Sequence, residues 1–267
     1  MTPANRKHAE LDPIPDGLVV LTFDDGAKSN GTFVGPLLLR YGFGATFFIT
    51  EGLNFLENKQ YYMTWDEIRE LHAAGFEIGN HLGRHVDMRK HSREEIEADV
   101  AQIEQRCREH GIPVPRSFAY PGGHSSPEAV EVLAQAGYLF ARRGCEPLTV
   151  SVDYEWGGRG PAYEPHRDHP LLIPITGNAG PHWTFDDLVW AVDQARDGKI
   201  AVLTFHGVPD LDHSHCTVEP EEFTGYMDYL RDCNCTAIAT RDLVRYVDPN
   251  QPFPRDLDFS AVNDPNC

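Results

Sequence analysis

The sequence predicts an α/β domain, a (β/α) barrel in the first instance with a doubly wound open sheet as the competing arrangement. Three observations predict it. Apolar runs with strand character recur along the chain, segments with helix punctuation lie between them, and the alternation repeats about seven times over 267 residues without a break in composition.

The strand-like runs are Leu18 to Phe23, Ala45 to Ile49, Glu77 to Gly79, Ser117 to Tyr120, Leu139 to Ala141, Ile200 to Phe205 and Thr236 to Ala239. Runs this apolar suit strands buried on both faces, as in parallel sheets. Between them, Thr64 with Glu67 and Ser92 with Glu95 read as capping boxes, and Ser126 precedes Pro127 at a first helical position. Gly75, Gly111, Gly137 and Gly198 then stop the helices. The stretch from Gly144 to Pro181 is too long for a plain connection, so it is either a lid or holds an extra strand around Leu171 to Ile175. The expected organisation is an N-terminal extension over 1–17, one domain over 18–247, and a tail over 248–267 rich in Pro, Asp and Asn.

Composition narrows the function. With 23 Lys+Arg against 41 Asp+Glu the formal charge is -18, which would repel nucleic acid. A hydrophobic share of 41% and a charged share of 24% are those of a globular protein rather than a disordered or fibrous one. No apolar run approaches the ~18 residues that cross a membrane, so no membrane insertion is expected. The opening MTPANRKHAELDPIPDG lacks the apolar core of a secretory signal. As written the sequence points to the cytoplasm, or to a secreted or periplasmic protein if a signal was trimmed. The six cysteines, at 107, 145, 216, 233, 235 and 267, read as reduced thiols, with disulfides in a secreted form as the alternative.

Chemically capable residues collect at the ends of the predicted strands. Asp24, Asp25 and Gly26 follow Phe23; Asn80 and His81 follow Gly79; Pro121, Gly122 and Gly123 follow Tyr120; His206 and Gly207 follow Phe205. Parallel α/β folds build their sites at such carboxyl ends. His81 and His85 are four apart, a spacing that puts two imidazoles on one face of a helical turn, though with 13 histidines it also arises by chance. Asp25 from another strand end completes a two-His, one-carboxylate set that suits a catalytic zinc site. Adjacent side chains leaving a strand point to opposite sides, so Asp24 and Asp25 should differ in task. One binds the cation while the other accepts a proton from water that the cation acidifies. The plain alternative is a tight turn, which Asp-Asp-Gly also favours.

Four segments then resemble, in order, the motifs of the polysaccharide deacetylases, carbohydrate esterase family 4 with its NodB homology domain. They are TFDDG at 22–26, NHLGRH at 80–85, FAYPGG at 118–123 and LTFHG at 203–207. The resemblance implies a distorted (β/α)7-8 barrel of the NodB/polysaccharide deacetylase type. It also implies metal ligation by Asp25, His81 and His85, with Zn2+ expected and Co2+ or Ni2+ as alternatives. By the same resemblance Asp24 matches the general base, His206 the general acid, and the Gly122 backbone N–H the oxyanion donor. Tyr120, and Trp156 in the long insertion, are the expected substrate contacts.

Three departures stand out. Leu82 replaces the hydroxyl residue that often follows the first metal histidine. Ala119 replaces the arginine that often holds the catalytic base, and Arg116, Arg142 or Arg143 are left to reach that carboxylate or to serve elsewhere. The aspartate that orients the acid histidine is not unambiguous, with Asp153 and Asp168 both open.

Phe55, Tyr61, Tyr62, Trp65, Tyr154, Trp156 and Tyr163 either stack on sugar faces or pack in core and loop. The segment from Val208 to Cys216, with Asp210, His213 and His215, either lines the cleft or forms a solvated turn. The expected activity is metal-dependent removal of acetyl groups from carbohydrate, first from an N-acetyl aminosugar. Alternatives are an O-acetyl xylan-type esterase, a small-amide, allantoinase-like hydrolase, and a non-catalytic glycan-binding module. Sequence leaves the oligomeric state open.

Overall fold

The computed structural model describes residues 11–145, 158–252 and 259. Eight strands, all parallel, are found among them: β1 (Leu18–Phe23), β2 (Thr46–Ile49), β3 (Glu77–Asn80), β4 (Ser117–Ala119), β5 (Phe140–Arg142), β6 (Gly177–Asn178), β7 (Ala201–Phe205) and β8 (Thr236–Ile238). They run in the order β5-β4-β3-β2-β1-β7-β6, with β8 added against β1. The helices α1 (Gly35–Tyr41), α2 (Trp65–Ala73), α3 (Arg93–Glu109), α4 (Pro127–Ala136), α5 (Phe185–Asp193) and α6 (Pro220–Asp232) alternate with the strands.

Helix starts follow the local chemistry. Thr64 and Glu67 exchange hydrogen bonds at the start of α2, Ser92 and Glu95 do so at α3, and the Ser126 hydroxyl accepts the Ala129 N–H at α4. Each such cap stabilises its helix by about 1 kcal/mol. Two further starts lay outside the sequence reading: Thr184 with Asp187 forms the same box at α5, with Asp in place of Glu, and Pro220 opens α6.

β1 organises the barrel. It pairs with β7 from Val19↔Ala201 to Phe23↔Phe205, and on its other edge with β8 through Leu18 to Val20 and with β2 through Thr22 and Phe23. The edges of the row meet in the long insertion. There Ile173 bridges Arg142 on β5, and Gly177 and Asn178 pair with Leu203 and Thr204 on β7. A barrel, not an open sheet, is therefore the architecture. The extra strand exists, but its ladder lies at Gly177–Asn178 because Pro170–Leu172 first form a 3-10 turn.

Side-chain alternation decides what faces where. Val19, Leu21 and Phe23 on β1, with Ala201, Leu203 and Phe205 on β7, pack outward against α1, α2, α5 and α6 in one apolar cluster. Leu18, Val20, Phe140, Ile200 and Val202 fill the barrel interior. Continuing the same parity, Asp24 after β1, Arg142 at the end of β5 and His206 after β7 fall on the interior side, at the carboxyl end. No helix among the described residues is long and apolar enough to cross a membrane, and Cys107, Cys216, Cys233 and Cys235 are free thiols.

Candidate active site

Both aspartates after β1 are buried, Asp24 at 4% and Asp25 at 5% exposure. Asp24 continues the strand, its N–H donating to Phe205 O at 2.9 Å; Asp25 then takes a left-handed φ of 68°, and Gly26 closes the turn onto Asp24 O. The expectation that the two carboxylates diverge is corrected by that left-handed residue. Asp24 Oδ2 lies 3.9 Å and Asp25 Oδ1 3.5 Å from the same atom, His81 Nε2.

His81 and His85 do meet, but not on a helical turn. The chain from 81 to 86 is a loop with left-handed φ at Leu82 (63°) and His85 (53°). Asn80 builds it: its Oδ1 accepts the Leu82 N–H at 2.9 Å while its amide donates to Val100 O and Tyr138 Oη, a local Asx-type turn. Asn80 thus secures a loop in which Leu82 replaces a hydroxyl, and Leu82 itself packs in the core. Gly52 permits the approach of the neighbouring loop, since a Cβ there would sit 2.7 Å from Arg84 O and 2.8 Å from His85 Cβ.

The result is a three-residue cluster. One ligand atom from each of Asp25, His81 and His85 lies within 4.8 Å of the others. His85 Nε2 is 3.4 Å from Asp25 Oδ1, and that oxygen is buried without a hydrogen-bond partner. His81 Nδ1 lies 2.7 Å from Ala119 O, which leaves Nε2 with its lone pair toward the cluster. Burial, the largest influence, pushes His81 down to about 3 against the pull of Asp24, with His85 and Arg142 adding to the fall. Burial also lowers His85. Both rings are neutral donors, as a metal requires. Burial first, then Asp24 and Asp210 against His206 and His213, leave Asp25 raised to about 6. An orphaned carboxylate oxygen facing two neutral imidazole nitrogens fits a divalent cation.

Asp24 is held differently. Burial alone would raise it, but Arg142, His81 and His206 outweigh burial and hold it below the usual carboxylate range. Arg142 Nη2 donates to Asp24 Oδ2 at 2.5 Å, and the pair is buried. Of the three arginines left open, Arg142 therefore takes the place vacated at Ala119. Arg116 is spent on Gly137 O, and Arg143 donates to Leu172 O. Alternation along β5, with Phe140 inward and Ala141 outward, was the signal that singles out Arg142.

His206 brings Nε2 to 3.9 Å from Asp25 Oδ2, and its Nδ1 is buried with no partner among the described residues. Among the described residues Asp168 makes no ion pair with His206, and its Oδ2 accepts the Glu164 N–H. Asp153, Tyr154 and Trp156 lie outside the described residues. Gly122 sits in the turn after β4, three residues beyond the carbonyl that holds His81, at a φ of 61°; a Cβ there would come 2.9 Å from His124 Nδ1.

The expectation for Tyr120 is corrected. Its side chain is fully buried against Phe118 and its hydroxyl donates to Leu171 O at 2.9 Å, so the ring supports β4 and does not face substrate. Phe55, Tyr62, Trp65 and Tyr163 are likewise buried, and packing, not sugar stacking, accounts for them. The segment after His206 lines the site: His213 Nδ1 is 4.0 Å from Asp25 Oδ2.

Residues 12–141 match the family model described as polysaccharide deacetylase. Over 127 residues the chain is 30% identical to a peptidoglycan-N-acetylglucosamine deacetylase of Bacillus cereus, covering 47% of this chain and 56% of that protein. The chain spans about half the length of the curated relatives it matches. Among solved structures, the Xyl-CE4 domain of a multidomain xylanase from the hindgut metagenome of Trinervitermes trinervoides is similar. It has a TM-score of 0.59 at 19% identity, over 92% of this chain and 100% of that one. The chitin deacetylase of the fungal pathogen Colletotrichum lindemuthianum has a TM-score of 0.58 at 19% identity, over 92% and 97%. At these identities the structures show the shared fold.

Proposed function

We propose that the chain is a member of the polysaccharide deacetylase family and a metal-dependent hydrolase that removes acetyl groups from carbohydrate, with an N-acetyl aminosugar oligomer or polymer as substrate. The observation that carries the reading is the orphaned Asp25 Oδ1 facing His81 and His85 beside an arginine-held Asp24. The catalytic unit is taken as residues 18–247, between the extension at 1–17 and the tail at 248–267.

Asp25, His81 and His85 would hold the cation, Zn2+ in the first instance. A divalent cation there supplies Lewis acidity, polarising a carbonyl and lowering the pKa of water. Asp24, kept ionised by Arg142 and with Oδ1 free, takes the proton as water attacks the acetyl carbon. The Gly122 N–H donates to the developing oxyanion. His206, with Nε2 3.9 Å from Asp25 Oδ2, gives a proton to the departing amine, which leaves as the free amino sugar with acetate as the second product.

The intact base, ligand set and acid histidine speak against a non-catalytic binding module, and the ligand set against a metal-free amidase. The test is acetate release from N-acetylglucosamine oligomers by Zn2+- or Co2+-loaded protein against chelated protein. Release only with metal is expected; equal release after chelation would overturn the reading. His206→Ala should slow amides more than activated esters, whose leaving groups need less protonation.

A further inference from the structure

The loop after His206 is built with more internal order than a solvated turn requires. Asp210, 6% exposed, sits at its centre. Its Oδ2 accepts the Gly207 N–H at 3.1 Å, and its Oδ1 accepts the N–H of Asp212 at 3.1 Å and of His213 at 2.7 Å. Its own N–H donates to Thr217 Oγ1, and Val208 N–H donates to Ser29 Oγ, which ties the loop to the segment after β1. Gly207 is forced by this knot, since a Cβ there would meet Asp210 Cα at 2.6 Å. From the β2–α2 connection, the Tyr62 hydroxyl donates to Asp212 Oδ2 at 2.7 Å and lies 3.5 Å from His213 Nε2.

That arrangement sets the His213 imidazole between two carboxylates. His213 Nδ1 stands 4.0 Å from Asp25 Oδ2 and 3.7 Å from Asp210 Oδ1, outside hydrogen-bond reach of both. It is buried and has no partner among the described residues. A buried polar atom left so is costly unless something closes on it. Asp210 Oδ1 already accepts two backbone N–H groups, whereas neither oxygen of Asp25 has a hydrogen bond among the described residues. Carboxylates that ligate metals are themselves held by hydrogen bonds from the surrounding protein.

We infer that His213 is a positioning residue for the metal carboxylate: its Nδ1–H holds Asp25 Oδ2, so that Oδ1 is presented to the space shared with His81 and His85, and the Asp210 knot exists to deliver it. The inference rests on Asp25 being a ligand, as proposed above. His206, at 3.9 Å from the same oxygen, is thereby left free to face the leaving group.

The test is Zn2+ affinity of the full chain, measured by competition with a chromogenic chelator, so the readout does not depend on substrate. His213→Ala should weaken Zn2+ binding about 10-fold or more. His213→Asn, whose amide nitrogen stands as many bonds from Cα as Nδ1, should restore affinity to within about 3-fold of the parent. The absorption spectrum of bound Co2+ should shift in the alanine variant and return in the asparagine variant. Unchanged Zn2+ affinity in His213→Ala overturns the inference, as does an asparagine variant as weak as the alanine one. Lost acetate release at unchanged affinity also overturns it, in favour of proton transfer by His213. Asp25→Ala separates the two readings: if it keeps its affinity, the ligand assignment fails, whatever His213 does.

Discussion

Carboxylates are buried at both ends of this barrel, and the two ends treat them oppositely. At the amino end, Glu77 opens β3 enclosed, and its Oε2 accepts from Thr46 Oγ1 at 2.6 Å and from the Arg241 N–H at 2.8 Å. At the carboxyl end, Asp24 and Asp25 are as deeply buried, yet each keeps one oxygen with no partner. Glu77 joins β2, β3 and the turn at Thr240–Arg245 into a floor. The aspartates keep unpaired oxygens, which a cation or a proton can complete. Burial alone does not mark function; burial with unmet hydrogen-bonding capacity does.

The sharpest way to break that contrast is Asp24→Asn. Zn2+ content should stay at the parent level while turnover on acetylated oligomers falls ~10²-fold or more, as when a general base is lost. Unchanged turnover would take the base role from Asp24. Next, Arg142→Met leaves a buried carboxylate uncompensated, so a loss of about 3–5 kcal/mol in stability is expected from denaturant unfolding. In whatever folds, burial acts on Asp24 unopposed by its main partner. Its pKa rises, and the acid limb of kcat/KM should move to higher pH; a stationary limb would detach Arg142 from the base.

A smaller effect concerns the cation. With Asp25 raised to about 6, protons compete for the ligand below that pH, while His81, at about 3, stays free of them. Zn2+ affinity should therefore hold above pH 6 and fall about tenfold per unit below it from this carboxyl alone. A flat profile from pH 5 to 7 would remove Asp25 from the set. The smallest effect on the site is expected from the floor. Glu77→Ala leaves the Thr46 and Arg241 donors without an acceptor and should cost about 1–3 kcal/mol in stability, with Zn2+ affinity and acetate release per folded molecule unchanged.

Much of this was legible because strand alternation and helix caps are local. The apolar runs located seven of the strands to within a residue or two, and Thr64, Ser92 and Ser126 marked three helix starts. Asp24, His81 and His206 were visible because each follows a strand directly, and Asp25 because it follows Asp24. β6 was harder, since two residues carry no pattern and its place follows from the gap between β5 and β7. The His81–His85 spacing suggested a helix, but Asn80 and two left-handed residues made a loop instead. Tyr120 looked like a cleft residue from its motif, yet its ring turned into the core formed by α4 and Leu171.

What the sequence by itself determined is the periodicity: where the strands run, which residues leave their carboxyl ends, and hence which groups share one end of a barrel. Only the tertiary structure decided that Arg142 meets Asp24 across 118 residues of chain, and that the loop at Asp210 brings His213 Nδ1 to 4.0 Å from Asp25 Oδ2. The reason is physical. Alternation and capping act between residues a few positions apart, whereas an ion pair or an aimed imidazole depends on distances that exist only once the barrel has closed.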